Sequence, residues 1–234
     1  MQGKKVIPSV VISTVFNERV EADILFYKTF KIFHCIDRCI RWHTTTEVQD
    51  KGEETLLSAY ASMWVAHFGP PQHFYVDGEA GLNGDLAKAL FKRQNTELHE
   101  RAPGQHANFV ERRGAILRAC LHLIEEQLSR EGLVVSFPTL LAEATFVGNA
   151  FTYIGGATPY QSLYGRQPAC LPDIHMNPGE HRNSEEIGGR TEARIREISL
   201  QSMVEATSLQ RIARASSTQT SPPGDHLYNP GDLV

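Results

Sequence analysis

The sequence has no long hydrophobic run, no Cys-x-x-Cys pair and no surplus of basic residues, and each absence excludes a class of protein. No segment approaches the roughly 20 apolar residues that a membrane-spanning helix needs, and residues 1–10 are too short and too polar for a secretory signal. The four cysteines are not spaced for a zinc finger, and Cys35 and Cys39 are too far apart along a strand for an easy disulfide. We therefore expect no membrane partner, and a reducing compartment in which the thiols stay free.

The composition is otherwise typical of a soluble globular protein. It is 41% hydrophobic and 21% charged, and 234 residues suffice for one sizeable core with extensions. The net charge of −4 counts against a general nucleic-acid binder, because phosphate contacts normally need a basic surplus. A local basic cluster, or divalent cations held by converging carboxylates, would still permit nucleic-acid binding.

The first part of the chain predicts an antiparallel meander of three strands. Residues 19–27 alternate in the way that is typical of a strand with two different faces, and residues 30–37 and 38–46 follow after short links. Asp23 occupies the middle of the first strand, where aspartate is disfavoured. This residue either faces water on an edge strand or serves a function that requires a carboxylate.

The next part predicts alternating helices and strands. Residues 53–68 have the apolar spacing of a helix, which a Gly-Pro-Pro sequence would end. Residues 72–76 form a short strand that leads into Asp77, and open α/β sheets bind their ligands at such carboxyl ends. An ordinary Asp-Gly turn also explains Asp77. A helix at 81–93 and a minimal strand at 96–98 follow.

Residues 104–128 begin as a loop and then become a long amphipathic helix. Its apolar stripe consists of Val110, Gly114, Leu117, Leu121, Ile124 and Leu128. Glu111 stands in the first turn and shares a face with Arg118, while Arg112 and Arg113 add positive charge beside it. A solvated helix start, where exposed N–H groups favour acidic residues, explains this pattern without any function.

The last part predicts more helices and an irregular segment. Helices are expected at 137–153 and 191–215, with a short one inside 155–165, and residues 167–189 have the composition of a linker. Residues 228–234 look like the first strand of a further unit. The coarse order β-β-β-α-β-α-β-α-α predicts a mixed sheet with helices on its faces.

Three carboxylates can meet in this arrangement. Asp23 and Asp77 lie on strands that can be neighbours, and Glu111 can reach the same point from a helix packed on the sheet. Oxygen ligands without cysteine or histidine suit hard cations such as Mg²⁺ or Mn²⁺. Two such ions support phosphoryl transfer, because one activates an attacking hydroxyl and the other stabilises the leaving oxygen. Asp37 is a rival carboxylate, but its position at a strand junction beside two arginines favours a structural ion pair.

The ordered trio of Asp23 in VEADILFY, Asp77 in FYVDGEAGL and Glu111 in HANFVERRGAILR resembles the catalytic core of integrases from retroviruses and long-terminal-repeat retrotransposons. Those integrases are DDE polynucleotidyl transferases with a ribonuclease H-like fold. The long first gap and the shorter second gap are similar to the family's spacing. The segments IDRCIRW, NAFTYIGGATPYQSLYGRQP and YNPGDLV also resemble parts of those proteins, so the resemblance extends from about residue 17 to residue 234.

This resemblance implies an α/β, ribonuclease H-like fold with a mixed five-stranded sheet flanked by helices, then a linker and a C-terminal helix. It divides the chain into a lead-in at 1–16, a catalytic core at 17–168, a linker at 169–190, a C-terminal helix at 191–216 and the start of a truncated C-terminal barrel at 217–234.

The resemblance also implies a reaction and its partners. DNA strand cleavage and strand transfer would use two Mg²⁺ or Mn²⁺ ions held by Asp23, Asp77 and Glu111. The expected partners are the element's DNA ends, target DNA and further copies of the chain, and the expected compartment is the nucleus. The residues predicted from their position to contact DNA are Arg112, Arg113, Arg118 and His106.

Three departures from the family's pattern leave an alternative open. Nothing resembles its zinc-binding His-His-Cys-Cys domain, and the C-terminal barrel stops after about one strand. Asp77 is followed by Gly78-Glu79 where many members carry Asn-Gly, which makes Glu79 a competing metal ligand. The alternative is therefore an inactive, retroelement-derived module that binds DNA or a protein. A cellular ribonuclease H-like nuclease would leave the matches at 158–168 and 228–234 unexplained.

Overall fold

The computed structural model describes residues 13–77, 81–101, 108–168 and 187–217. The strands are β1 (Arg19–Tyr27), β2 (Phe30–Asp37), β3 (His43–Val48), β4 (His73–Asp77) and β5 (Glu97–Arg101). The helices are α1 (Glu53–Tyr60), α2 (Ala66–Phe68), α3 (Asp85–Arg93), α4 (Asn108–Arg130), α5 (Phe137–Phe151), α6 (Pro159–Tyr164) and α7 (Ile187–Ser217), and a π-helical segment at Ala61–Val65 joins α1 to α2.

The five strands form one mixed sheet in the order β3-β2-β1-β4-β5. The first three strands pair antiparallel, whereas β4 runs parallel to β1 and β5 runs parallel to β4. This arrangement confirms the predicted fold class, a mixed five-stranded sheet flanked by helices and followed by a C-terminal helix. Because β1 is central, a side chain in its middle lies between β2 and β4.

The predicted division of the chain is only partly covered by the structure. The lead-in at 1–16 is described from residue 13 onward, and the linker at 169–190 is described only from residue 187, where α7 has already begun. The barrel start at 217–234 lies outside the described residues, apart from Ser217. The domain boundaries therefore stay a prediction.

Strand β3 begins later than its sequence pattern predicts, at His43 instead of residue 38. The Asp37 carboxylate accepts hydrogen bonds from the backbone N–H groups of Cys39 at 2.9 Å and Ile40 at 2.7 Å, and Arg41 adopts a φ of 63°. Such side chain-to-backbone bonds offer the chain a turn in place of a strand ladder. The third strand is therefore shortened by a turn that Asp37 stabilises.

The two faces of the sheet pack against different helices. On one face, β1, β2 and β4 pack against α1, the π-helical segment and α3. The buried core of this face includes Val20, Ala22, Phe33, Phe74, Leu56, Tyr60, Trp64 and Phe91. The other face packs against α4, α5 and α7, and its core includes Leu25, Tyr27, Ile32, Leu117, Leu121, Ile124, Ala144 and Ile198. Because side chains alternate along a strand, Asp23 belongs to the same face as Leu25.

Helix α4 is the long helix that the apolar stripe predicts, and it buries Val110, Leu117, Leu121, Ile124 and Leu128. It runs in the same direction as β1. The backbone N–H of Val110 donates to Glu21 near the start of β1, at 3.1 Å, and the Tyr27 hydroxyl at the end of β1 donates to Glu125, at 2.5 Å. The N-terminal turn of α4 therefore lies over the first half of β1.

Helix α7 packs lengthwise against α4. Arg194 binds Glu131 through two nitrogens, at 2.6 and 2.9 Å, and the Gln210 side-chain amide donates to the Arg112 carbonyl at 3.3 Å. The two contacts lie at opposite ends of α4, so α7 covers most of its length. None of the described helices is long and apolar enough to cross a lipid bilayer.

Candidate active site

Asp23 and Asp77 occupy level positions on two adjacent parallel strands. Ala22 of β1 pairs with Val76 of β4, and Asp23 and Asp77 are the next residues along each strand. The Asp23 side chain is half-buried, and its Oδ1 accepts the backbone N–H of Ile24 at 2.7 Å. The side chain of Asp77 lies outside the described part of the chain. The strand pairing thus places the two backbones side by side at one level of the sheet.

Glu111 lies in the first turn of α4, directly after the residue that anchors this helix to β1. Its side chain is exposed. The hydrogen bond from Val110 to Glu21 places this turn over the first half of β1, the half that ends at Asp23. The fold therefore brings all three predicted carboxylate positions to one region, two of them on paired strands and one on the helix above.

Glu21 is a second carboxylate in this region, and its role is structural. The side chain is 1% exposed, and one oxygen binds Arg38 at 2.6 Å while the other accepts the Val110 N–H at 3.1 Å. The charge on Glu21 is therefore balanced by Arg38 and by the N-terminus of α4. Glu21 was not predicted as a site residue, and its only signal in the sequence is an acidic residue on the core face of a strand.

Asp37 is a structural carboxylate, held mainly by backbone N–H groups and also by the charge of Arg41, although it is buried and not in a surface ion pair. It is fully buried, and its oxygens accept three backbone N–H groups, those of Asn17 at 3.0 Å, Cys39 at 2.9 Å and Ile40 at 2.7 Å. Burial raises the pKa of Asp37, and these three hydrogen bonds oppose that rise. Its hydrogen-bonding capacity is therefore used within the protein, as expected of a structural carboxylate.

A buried layer of basic side chains fixes α4 against the sheet and α5. His34 and His43 lie 3.2 Å apart, and Arg113 donates to the Thr152 hydroxyl at 2.7 Å and to the carbonyl of Gly148. Burial, reinforced by the charge of Arg113, lowers the pKa of His34 to about 3 and that of His43 well below its usual value. Both imidazoles are therefore neutral near pH 7.

This layer corrects the prediction that Arg113 contacts DNA. Its side chain is 4% exposed, and burial lowers the pKa of Arg113 to about 10. Space for the guanidinium depends on Gly148, where an added Cβ would lie 2.7 Å from the Nε2 of His43 and 3.2 Å from the Nη2 of Arg113. Arg113 therefore holds α4 to α5 from inside the protein.

A basic pocket lies beside the first turn of α4. It encloses about 340 Å³ between the start of α4 and the C-terminal half of α7, and its arginines are Arg41, Arg112, Arg113, Arg211 and Arg214. Arg41 also stacks over the ring of Phe109, at 3.6 Å from its centroid. No carboxylate is among the described residues that line this pocket. Positive charge is thus concentrated next to Glu111 in a chain whose net charge is −4.

Two other predicted DNA contacts lie elsewhere. Arg118 is exposed on α4, outside the residues that line the basic pocket. His106 lies outside the described residues. Of the four predicted contacts, Arg112 and Arg118 are therefore the ones that the structure places at the surface.

Solved structures of retroviral integrases are similar to this chain. A chain of the simian T-cell lymphotropic virus intasome, in complex with PP2A regulatory subunit B56 gamma, aligns over 72% of this chain with a TM-score of 0.55 and 18% identity. The HTLV-2 integrase catalytic core domain in complex with magnesium aligns over 63% of this chain, with a TM-score of 0.52 and 14% identity. This chain has the fold of a retroviral integrase catalytic core. The BIV integrase catalytic core domain also aligns, over 62% of this chain at 15% identity with a TM-score of 0.52.

At these identities the similarity establishes the fold alone. The alignment spans 96% of the HTLV-2 core domain and 93% of the BIV core domain, but only 61% of the intasome chain. No protein-family model matches the sequence, and no curated protein matches it. The assignment of Asp23, Asp77 and Glu111 as metal ligands therefore stays a prediction.

Proposed function

We propose that this chain cleaves DNA strands and transfers them to a target DNA, with Asp23, Asp77 and Glu111 as the catalytic carboxylates. The observation that carries this proposal is the pairing of Ala22 with Val76, which puts Asp23 and Asp77 level on adjacent strands beneath the first turn of α4. Asp77 is the last residue of β4, and α/β sheets bind ligands at the carboxyl ends of their parallel strands.

The donor set fits Mg²⁺ or Mn²⁺. The three residues offer carboxylate oxygens alone, and hard divalent cations prefer oxygen ligands. Among the described residues of this region, the Glu21 carboxylate is bonded to Arg38 and the Val110 N–H, which leaves it poorly suited to a metal, whereas Glu79 lies outside the described residues. The HTLV-2 integrase core, which has the same fold, is known in complex with magnesium. Two bound ions would supply Lewis-acid activation of the attacking hydroxyl and stabilisation of the leaving oxygen.

The chain's own residues would position the DNA. The exposed arginines of the basic pocket, Arg112, Arg211 and Arg214, lie beside the first turn of α4, where they would hold the phosphates that flank the scissile bond. Arg112 lies next to Glu111 in the sequence, so one helical turn presents both a catalytic carboxylate and a phosphate contact. His106, in the segment before α4, is proposed as a further contact.

We also propose self-association and a nuclear site of action. Integration joins two DNA ends to one target, so more than one active site has to be held together. The HTLV-2 integrase core is known in dimeric and trimeric forms, which supports this proposal.

The test is strand cleavage and joining on a labelled branched DNA with Mg²⁺ or Mn²⁺, in which Glu111→Gln is compared with Glu126→Gln. Glu126 is an exposed carboxylate of the same helix and pairs with Arg130. Glu111→Gln should lower the rate by at least about 100-fold, since even indirect partners of a metal are typically worth 10–100-fold. Glu126→Gln should retain the wild-type rate. Equal rates for the two variants would contradict the assignment of Glu111, and a wild-type chain that neither binds metal nor yields product would favour the non-enzymatic alternative.

A further inference from the structure

His73, Glu97 and His99 converge at the outer edge of the sheet, on the same face as Asp23. His73 opens β4, and its Cα pairs with that of Glu97 on β5, while His99 pairs with Tyr75. Parallel pairing and alternation place these side chains next to one another. His73 Nδ1 lies 3.1 Å from His99 Nε2 and 3.1 Å from Glu97 Oε2, and His99 Nε2 lies 3.6 Å from the same carboxylate oxygen.

These three atoms have the spacing of metal ligands. A tetrahedral Zn²⁺ with bonds of roughly 2.0–2.1 Å to nitrogen and oxygen has ligand atoms about 3.3–3.4 Å apart. The observed triangle has edges of 3.1, 3.1 and 3.6 Å. The spacing of the three atoms therefore matches that of ligands around one cation.

Hydrogen bonds within the cluster pair its three atoms less completely than a bound cation would. Neutral His73 has one proton to offer from Nδ1, and both His99 Nε2 and the Glu97 carboxylate lie at 3.1 Å from that atom. In that tautomer Glu97 and His99 compete for one proton, whereas a proton on His99 Nε2 would bond to His73 Nδ1 and leave Glu97 to solvent, so neither tautomer links all three atoms. A cation accepts a lone pair from each of the three atoms, so it removes this competition.

The surroundings hold the cluster in place but leave it accessible. The ring of His99 stacks on Tyr75, with centroids 4.5 Å apart and an angle of 12°, and the Tyr75 hydroxyl accepts a hydrogen bond from Arg19 at 2.7 Å. The side chains of His73 and His99 are 24% and 31% exposed, and that of Glu97 is 64% exposed. Solvent can therefore reach the cluster and supply a fourth ligand.

The nearby positive charges are largely balanced. Arg38 stacks over Tyr75 at 3.9 Å but is paired with Glu21, and Arg19 is paired with Glu18 at 3.3 Å. These arginines repel a bound cation only weakly, since the carboxylates paired with them offset their charge. A divalent ion bound by Glu97 would bring a net charge of about +1 to this edge of the sheet.

We propose that His73, Glu97 and His99 form a site for a borderline transition-metal ion of the Zn²⁺ class, with a fourth position open to water. Two imidazoles and one carboxylate favour such an ion over Mg²⁺, which prefers oxygen ligands. This site is distinct from the carboxylate site, since His73 and Asp77 stand at opposite ends of β4, about 13 Å apart at 3.3 Å per residue. The bound ion would tie the edge strand β5 to β4.

The experiment titrates Zn²⁺ into the full chain, free of any affinity tag and in excess Mg²⁺, with isothermal titration calorimetry. One saturable Zn²⁺ per chain is expected. A 100-fold excess over the dissociation constant should raise Tm by roughly 5–10 °C, because the ion binds only the folded state. The His73→Gln/His99→Gln variant should lose this binding and the Tm rise, whereas His122→Gln, an exposed histidine of α4, should retain both.

Two further measurements test the geometry of the site and the folding of the double variant. Co²⁺ in place of Zn²⁺ should give the intense visible absorption of a tetrahedral site in the wild type and lose it in the double variant. Circular dichroism must show that the double variant is folded. Failure of the folded wild type to bind Zn²⁺, or binding that survives the double variant, would overturn the proposal. Binding that is lost in Asp23→Asn but kept in the double variant would also overturn it, since the ion would then occupy the carboxylate site.

Discussion

The backbone N–H of Val110 lies 3.1 Å from Glu21 Oε2, so the helix that carries Glu111 begins on the strand that carries Asp23. The other oxygen of Glu21 binds Arg38 at 2.6 Å, and the carboxylate is 1% exposed. One buried side chain therefore links β1, the turn after β2 and the N-terminus of α4. The relative position of Asp23 and Glu111 depends on this contact.

Glu21→Gln should destabilise the fold. The amide can still bond to Val110, but it leaves the largely buried Arg38 guanidinium without its counter-charge, which typically costs about 3 kcal/mol. Urea denaturation followed by circular dichroism measures the change in the free energy of unfolding. The control is Glu126→Gln, which breaks an exposed pair with Arg130 and should cost less than about 0.5 kcal/mol. A Glu21→Gln loss as small as that of the control would contradict the role of Glu21.

Much of the fold was predictable because the pattern of each strand or helix lies within one short stretch of sequence. The alternation in residues 19–27 and the apolar stripe of the long helix are repeated signals, and both elements formed where they were expected. The same alternation puts Asp23 on one face with Leu25, but it leaves open whether that face meets water or a helix. Asp37 marks where this reasoning ends, because a turn built by one carboxylate on its neighbours' N–H groups has no periodicity to detect.

The remaining features depend on contacts between distant parts of the chain. Arg113 stands three residues after Val110 and four before Leu117, so the helical period places it beside the buried stripe, but the sequence does not show which distant groups would pair with its charge. Its partners, Gly148 and Thr152, lie on α5 and just beyond it. The cluster of His73 and His99 likewise requires the parallel pairing of β4 with β5. The alternating pattern of either strand alone does not indicate a metal site.

Arg113→Met should therefore act on stability and not directly on DNA. The substitution removes hydrogen bonds to Thr152 and to the Gly148 carbonyl, and it leaves those buried acceptors unpaired, at a cost of about 2–4 kcal/mol. Arg112→Met, at the exposed neighbouring position, should change the free energy of unfolding by less than about 0.5 kcal/mol. Thermal and urea denaturation of both variants measure the difference. Equal stability of the two would show that the buried bonds contribute little.

The buried histidines should make stability fall in mild acid. The folded-state pKa of His34 is about 3, and that of His43 is also lowered, whereas an unfolded histidine has a pKa near 6.5. Below pH 6.5 the unfolded chain binds protons that the folded chain does not, so each of the two histidines lowers stability by about 1.4 kcal/mol per pH unit. This loss is absent above about pH 7.

The slope between pH 6 and pH 5, obtained from urea denaturation at several pH values, separates this effect from a general loss of stability. His34→Gln should reduce the slope by about 1.4 kcal/mol per pH unit, whatever it does to stability at pH 7. His122→Gln, at an exposed position on α4, is the matched control and should keep the wild-type slope. An unchanged slope in His34→Gln would mean that this imidazole titrates equally in the folded and unfolded chains.

If DNA binds in the basic pocket, the salt dependence of its affinity should fall when arginines of the pocket are replaced. Each phosphate contact that is lost should make the slope of log K against log salt concentration shallower by about 0.9. Arg112→Gln and Arg211→Gln each remove one arginine from the pocket, so their combination should reduce the slope by about 1.8 if both contact phosphate. Fluorescence anisotropy with a labelled duplex at several salt concentrations gives these slopes.

Two other arginines of α4 show which surface the DNA uses. Arg118→Gln removes an exposed charge outside the pocket, so a slope reduced only by this variant would move the DNA to the face of α4 that Glu111 and Arg118 share. Arg130→Gln removes an exposed charge at the far end of the helix, where Arg130 is paired with Glu126, and should leave the slope unchanged. A slope that changes equally in all these variants would indicate a response to net charge alone. A loss confined to Arg112 and Arg211 would place the phosphates in the basic pocket between the start of α4 and the C-terminal half of α7.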